Sequence, residues 1–185
     1  LTLKIKKRLK CLCLKMIPMA EMQTIPNPLQ LTLVKFGMKV AILMGSPRDG
    51  DKMAGASEML ERFDVPHEVL VMSAHRTPEQ VAELASSARD NGYGVIICGA
   101  GMAAHLAGAV SAHTTLPVIG VPLSGGVSGG MDALLSTVQM PRGIPVATVA
   151  VDGSANAAVL AIEILSLNNP DLIERLKTFR DEGAR

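Results

Sequence analysis

Aromatic side chains are almost missing from this sequence: there is no Trp, one Tyr and three Phe in 185 residues. Their scarcity argues against stacking-based recognition of single-stranded nucleic acid. It also argues against a β-sandwich, whose core usually leans on aromatics. Cysteine is scarce as well. Cys11, Cys13 and Cys98 are odd in number and lack CxxC spacing, so neither a disulfide framework nor a zinc site is signalled. Uncharged apolar runs fall far short of the roughly 18 residues that a membrane span requires. A reducing, cytoplasmic setting is the resulting expectation. What the chain has in quantity is small and aliphatic side chains, with hydrophobic residues making up 48%. A core of Ala, Val, Ile, Leu and Met suits helices lying closely on a parallel sheet. The length accommodates one domain with a real core.

The net charge of +1 conceals two unlike parts. Residues 1–37 hold seven basic groups (Lys4, Lys6, Lys7, Arg8, Lys10, Lys15, Lys35) and one acid, Glu21. Taken from totals of 18 basic and 17 acidic groups, this leaves 11 and 16 in residues 38–185, a net of −5. An acidic main region carries no electrostatic footprint for DNA or RNA. Any anion must be held by a local pocket. Residues 1–37 are expected to be a disordered or non-native extension rather than a targeting peptide or membrane-surface helix. Lys15 interrupts the apolar run, Arg is scarce, and Met38 opens a strand-like KVAILM.

From residue 38 onward, short apolar runs alternate with helical patterns. Strands are predicted at 39–44, 68–72, 95–98, 118–121 and 145–149. Helices are predicted near 51–63, 78–91, 103–112, 131–138, 156–167 and 172–180. This alternation predicts βαβ units and a parallel sheet covered on both faces, an α/β domain. Thr77 followed by Pro78 and Glu79 reads as a helix N-cap with Pro at the first position. Asn91-Gly92 reads as a helix stop. Cys98, inside an apolar run, reads as a small buried hydrophobe.

Ligands of open α/β sheets sit beyond the carboxyl ends of the strands, so the loops there carry the chemistry. In 45–50, free backbone N–H groups and the Ser46 hydroxyl could hold a phosphate at a helix N-terminus, and Asp49 could accept from sugar hydroxyls. A plain capped turn is the alternative. In 73–78, Ser73, His75 and Arg76 cluster: imidazole suits proton transfer near neutral pH and guanidinium pairs bidentately with phosphate. Neither Ser46 nor Ser73 lies in a Gly-x-Ser-x-Gly elbow, which argues against nucleophilic hydrolysis. Residues 99–104, GAGMAA, match a permissive dinucleotide pattern, but the acid expected at the end of the next strand is missing. Gly101 is better read as letting backbone approach a compact ligand. His105 is placed just inside the following helix, bordering the pocket or merely packing. His67 and His113 read as surface or edge residues. No metal constellation emerges. The Gly-rich stretch 124–132 is read either as a closing loop or as a surface connection too flexible to order itself. Arg142 stands open between structural, intersubunit and ligand roles.

These loops resemble a known family. MGSxxD at 44–49, SAHRTP at 73–78, GAGxAAHL at 99–106, TTLPVIGVP at 114–122 and QMPRGIPV at 139–146 occur in the order of the N5-carboxyaminoimidazole ribonucleotide mutases. These are the class I PurE enzymes of de novo purine (IMP) synthesis. The likeness covers essentially all of residues 38–185. It implies a three-layer flavodoxin-like fold, a homo-octamer, and an isomerase that uses neither metal nor organic cofactor. The implied reaction interconverts N5-carboxyaminoimidazole ribonucleotide and 4-carboxy-5-aminoimidazole ribonucleotide. By the resemblance His75 is the proton-transfer residue, and Ser46, Asp49 and Arg76 bind the ribonucleotide, with Ser73, Gly101 and His105 close by. A transient contact with the synthetase that makes the carbamate belongs to the same implication. Arg48 stands where Ser is common, Met102 where Gly is, and Ala107 where Pro is. Met102 is expected to narrow the loop that approaches the ligand. The rivals are a class II carboxylase using carbon dioxide directly, a pyridinium-dicarboxylate nucleotide synthase, and a non-catalytic nucleotide-binding module. Arg76 and the GAGxAAHL loop favour the class I reading over class II.

Overall fold

The period of two in the strands decides how the sheet is covered. In β1 (Lys39–Met44) every residue after Lys39 is buried. Val40, Ile42 and Met44 enter one core, while Ala41 and Leu43 enter another on the opposite face. The same division holds in β3 (Tyr93–Gly101), where Val95 and Ile97 face the first core and Ile96 and Cys98 the second. A strand that is apolar on both sides needs helices on both sides. The structure, a computed structural model describing residues 38–184, supplies them. The expectation for residues 1–37 lies outside the described residues.

Five strands make one wholly parallel sheet in the order β2-β1-β3-β4-β5. β2 is His67–Val71, β4 Val118–Leu123 and β5 the short Ala147–Thr148. α1 (Gly50–Arg62), α5 (Ser154–Ser166) and α6 (Pro170–Asp181) supply the first core, and α2 (Pro78–Ser87) and α3 (Leu106–Ser111) the second. α4 (Met131–Val138) packs along β4 and β5. This is the three-layer, flavodoxin-like α/β architecture that was expected. Each large aliphatic side chain buried in these layers contributes on the order of 1.5–3 kcal/mol. Small residues set the spacing: a Cβ at Gly55 of α1 would lie 3.1 Å from Ser154 Oγ and 3.6 Å from Ala155 Cβ at the start of α5. At the foot of the sheet Lys39 pairs with Glu68 at 2.7 Å, and the Tyr93 hydroxyl donates to the same carboxylate. Those two bonds hold the Glu68 carboxyl below its ordinary pKa.

Several boundaries differ from the sequence expectations, each for a physical reason. β3 runs on through Gly99, Ala100 and Gly101, which pair with Val121, Pro122 and Leu123 of β4. The glycines are therefore strand residues rather than the start of a loop. α3 starts at Leu106 instead of 103, so His105 precedes the helix rather than lying inside it. Met102 takes φ +57, a left-handed conformation that ends the strand and cannot start a right-handed helix. Thr77 precedes α2 without capping it; its Oγ1 instead donates to Ser73 O and accepts from Ser73 N, closing the 73–77 loop. β5 is two residues long where five were expected. Cys98 is 1% exposed, and burial pushes its thiol pKa far up. Among the described residues no helix is long and apolar enough to cross a membrane.

Gly99 offers a test of this packing. A Cβ there would lie 2.9 Å from Cγ of Met53, itself 1% exposed. Gly99→Ala is expected to cost about 1–3 kcal/mol by overpacking, read as a lower denaturant midpoint at unchanged m.

Candidate active site

Strand order reverses between β1 and β3: the chain goes from β1 outward to β2, then returns to build β3, β4 and β5 on the other side. Loops leaving β1 and β3 diverge at that point and leave a crevice beyond the strand ends. A cavity of about 530 Å³ occupies it. Ser46, Asp49, Ser73, His75, Arg76, Gly101 and His105 all line this one cavity, with Arg48, Met102 and Ser124 beside them. Four loops separated by up to 79 residues of sequence thus converge on one place.

The β1 loop begins with a 3-10 turn over Pro47–Asp49, in which Ser46 Oγ accepts from Arg48 N at 3.3 Å. α1 follows directly, so the positive end of its dipole stands behind the turn that lines the cavity, a setting that favours anions. Arg76 binds this loop to its neighbour. Its Nη2 donates to Gly45 O at 2.7 Å and its Nε to Ser73 Oγ at 3.3 Å. A guanidinium carries five N–H donors. Three of Arg76's therefore remain for a ligand after these two internal bonds.

His75 is exposed at the cavity, and among the described residues its ring has no hydrogen-bond partner. Both ring nitrogens are free for a substrate. Asp49 and Ser46 are half-buried on the opposite loop. His105 lies against α3: a Cβ at Gly108 would sit 2.6 Å from His105 Cε1 and 2.9 Å from its Nδ1. The ring thus uses the space that Gly108 leaves. Met102 borders the cavity and is 67% exposed. The substitution also carries a backbone energy, because left-handed φ costs a non-glycine residue roughly 1–2 kcal/mol.

Alone, the loop after β4 is too flexible to order itself: Gly125, Gly126, Gly129 and Gly130 fall within seven residues. Its own Asp132 and two side chains from elsewhere order it. Asp132 accepts from Val127 N at 3.0 Å and from Ala133 N at 2.9 Å. Lys52 Nζ donates to Ser124 O at 2.5 Å, and Ser124 N donates to Asp152 Oδ1 at 2.9 Å. Burial alone would raise the Asp152 pKa, but hydrogen bonding with Ser124 and the charge of Lys52 outweigh it and hold the carboxyl below its ordinary value.

Lys52 and Asp152 carried no signal in the sequence, because their partner lies 72 residues from one and 28 from the other. Arg142 is exposed and outside the cavity. His67, read as an edge residue, starts β2 and makes a 2.5 Å hydrogen bond with Ser57 Oγ. Among the described residues no group of three or more His, Cys, Asp or Glu side chains is arranged to hold a metal ion.

Comparison with known proteins bears on what this crevice is. A protein-family model described as AIR carboxylase matches residues 39–185. The chain is similar to the N5-carboxyaminoimidazole ribonucleotide mutase of Pyrococcus abyssi, with 53% identity over 154 residues covering 83% of this chain and 88% of that protein. It is 51% identical over 143 residues, 77% of its length, to a chloroplastic phosphoribosylaminoimidazole carboxylase of Vigna aconitifolia, but spans only 26% of that longer protein. Among solved structures, Treponema denticola PurE superposes with a TM-score of 0.72 at 28% identity, covering 79% of this chain and 91% of that one. The family match spans the whole described sheet and every loop that meets at the crevice, and on that ground the chain belongs to the AIR carboxylase family.

Proposed function

We propose that the chain interconverts N5-carboxyaminoimidazole ribonucleotide and 4-carboxy-5-aminoimidazole ribonucleotide, an intramolecular carboxyl shift of purine biosynthesis. The observation that carries this reading is the convergence of His75, unbonded, with Ser46, Asp49, Ser73, Arg76, Gly101 and His105 on one cavity. Relatives named for the mutase support it, since that of P. abyssi is matched over 88% of its length. The carboxylase name belongs to a protein of which this chain spans 26%, so direct carboxylation is the less favoured reading.

The chemistry asks little of the protein beyond one titrating group and a closed site. His75 donates a proton to the carbamate nitrogen, the N–C bond breaks, and carbon dioxide is released beside 5-aminoimidazole ribonucleotide. Carbon 4 of the imidazole attacks the retained carbon dioxide, and His75 takes the carbon 4 proton. The residue returns to its starting state, and the carboxyl has moved without net gain or loss of atoms. Holding the carbon dioxide within reach turns its recapture into a near-unimolecular step. The open donors of Arg76, the Ser46 hydroxyl and the N-terminus of α1 hold the phosphate, and Asp49 accepts from the ribose. No metal ion or organic cofactor takes part in these steps, and a cytosolic setting belongs to the same reading.

Assembly is also part of the proposal. α4 presents Met131, Leu135 and Val138 at 49%, 48% and 48% exposure, spaced four and three residues apart on one helix face. A half-exposed apolar stripe of this kind supports burial against another copy, in the homo-octamer that the resemblance implies.

Purified protein given the carbamate without ATP or bicarbonate should form the 4-carboxy product; absence of conversion would defeat the mutase reading. His75→Asn should lower turnover by at least about a hundredfold, the usual scale of general acid–base catalysis, while ribonucleotide binding by calorimetry stays near wild type. An active variant would remove His75 from its role. Leu135→Glu should shift sedimentation toward smaller species, and an unchanged mass would argue against the α4 face as a contact.

A further inference from the structure

The cavity has four walls, and one of them is built from a segment that cannot hold its own shape. Ser124 and Gly125 line the cavity, yet they open a stretch with four glycines in seven residues. Glycine gives up more backbone freedom on ordering than any other residue. The far half of the stretch is tied by the Asp132 carboxylate to Val127 N. The near half, the part that meets the cavity, has a different support.

We propose that Lys52 and Asp152 are positioning residues that grip the backbone of Ser124 from opposite sides and hold Ser124 and Gly125 in place as the fourth wall of the substrate cavity. Neither residue lines the cavity itself. Lys52 stands in the first turn of α1, three residues after Asp49, and its ammonium donates to Ser124 O at 2.5 Å. Asp152 follows β5 and accepts from Ser124 N at 2.9 Å. One residue thus has its carbonyl and its amide fixed by two separate elements. The same ammonium lies 3.6 Å from the position of a Cβ on Gly125, so the clamp extends along the wall.

Asp152 is itself held for this task. Its φ is +57, a left-handed conformation that Asp tolerates better than most residues. Its own N–H donates to Pro122 O at 2.9 Å, and its carbonyl accepts from Ser154 N at 2.9 Å at the start of α5. Asp152 is therefore bonded to β4 on one side and α5 on the other before its carboxylate reaches Ser124. Gly130 closes the arrangement: a Cβ there would fall 2.9 Å from Val151 Cγ1 and 3.1 Å from Ser124 Cα. The α1 end that carries Lys52 also carries Asp49 and the 3-10 turn of the β1 loop. Through Lys52 the wall after β4 moves with the loop after β1, and the two sides of the crevice keep a fixed separation.

The inference rests on the substrate reading above for what fills the cavity, but the grip can be measured in the empty protein. Lys52→Met and Asp152→Ala should each raise KM for the carbamate about tenfold, the scale of one lost hydrogen bond to a charged group. Turnover number should change by no more than about twofold, because no group acting on the reacting atoms is removed. Lys52→Arg, which still offers a charged donor to Ser124 O, should restore KM to within about threefold of wild type. In substrate-free protein both disruptive variants should show faster amide exchange confined to residues 124–130. The proposal is overturned if KM stays within about twofold in both variants, if turnover falls while KM holds, or if exchange in 124–130 is unchanged. Should wild-type protein itself fail to convert the carbamate, the substrate reading falls, while the exchange comparison still decides on the grip.

Discussion

Parallel pairing of β1 with β2 on one edge and β3 on the other governs everything else in the molecule. Parallel neighbours cannot be joined by a tight turn, so each connection crosses back over the sheet as a helix. Because β2 and β3 lie on opposite sides of β1, the loops leaving β1 and β3 separate at the strand ends. The gap between them is the cavity. An antiparallel pairing, or a strand order without the reversal, would leave no crevice for His75 and Arg76 to border.

The groups at that crevice divide into those that meet a ligand and those that keep the walls in place, and some do both. Arg76 spends two donors on Gly45 O and Ser73 Oγ and keeps three. It joins the loops after β1 and β2 while remaining available to an anion. His75 spends nothing, which suits a residue that must give and take a proton at two different atoms of a substrate. Ser124 has both backbone polar groups engaged by side chains from α1 and from the segment after β5. Binding geometry therefore depends on contacts well outside the cavity lining.

Departures from the family pattern look different once placed in three dimensions. Met102 reads in sequence as bulk intruding on a glycine loop. In the structure it borders the cavity, largely exposed, and adds a left-handed backbone without glycine to relax it. Arg48 lies at the cavity in the 3-10 turn beside Asp49, adding a cation at the mouth where the pattern has a hydroxyl.

Local patterns in the chain were enough for the layered α/β class, the strand β1 to the residue, and the position of α4, because burial on both faces of a parallel strand imposes an unbroken apolar run that any reading detects. The seven residues at the cavity were legible for a related reason: polar and glycine-rich groups after such runs have nowhere to lie but the strand ends. What the sequence could not contain was the pairing that extends β3 through Gly101, since a Gly-Ala-Gly stretch becomes strand only when β4 stands beside it. Nor could it reveal Thr77 closing its own loop rather than capping α2, or His105 lying in the space over Gly108. The clamp of Lys52 and Asp152 on Ser124 belonged to tertiary structure alone. Hydrogen bonds between a side chain and a backbone atom 72 or 28 residues away leave no periodicity and no motif; they exist only because the strand order brings α1, the β4 loop and the end of β5 to the same edge of the crevice.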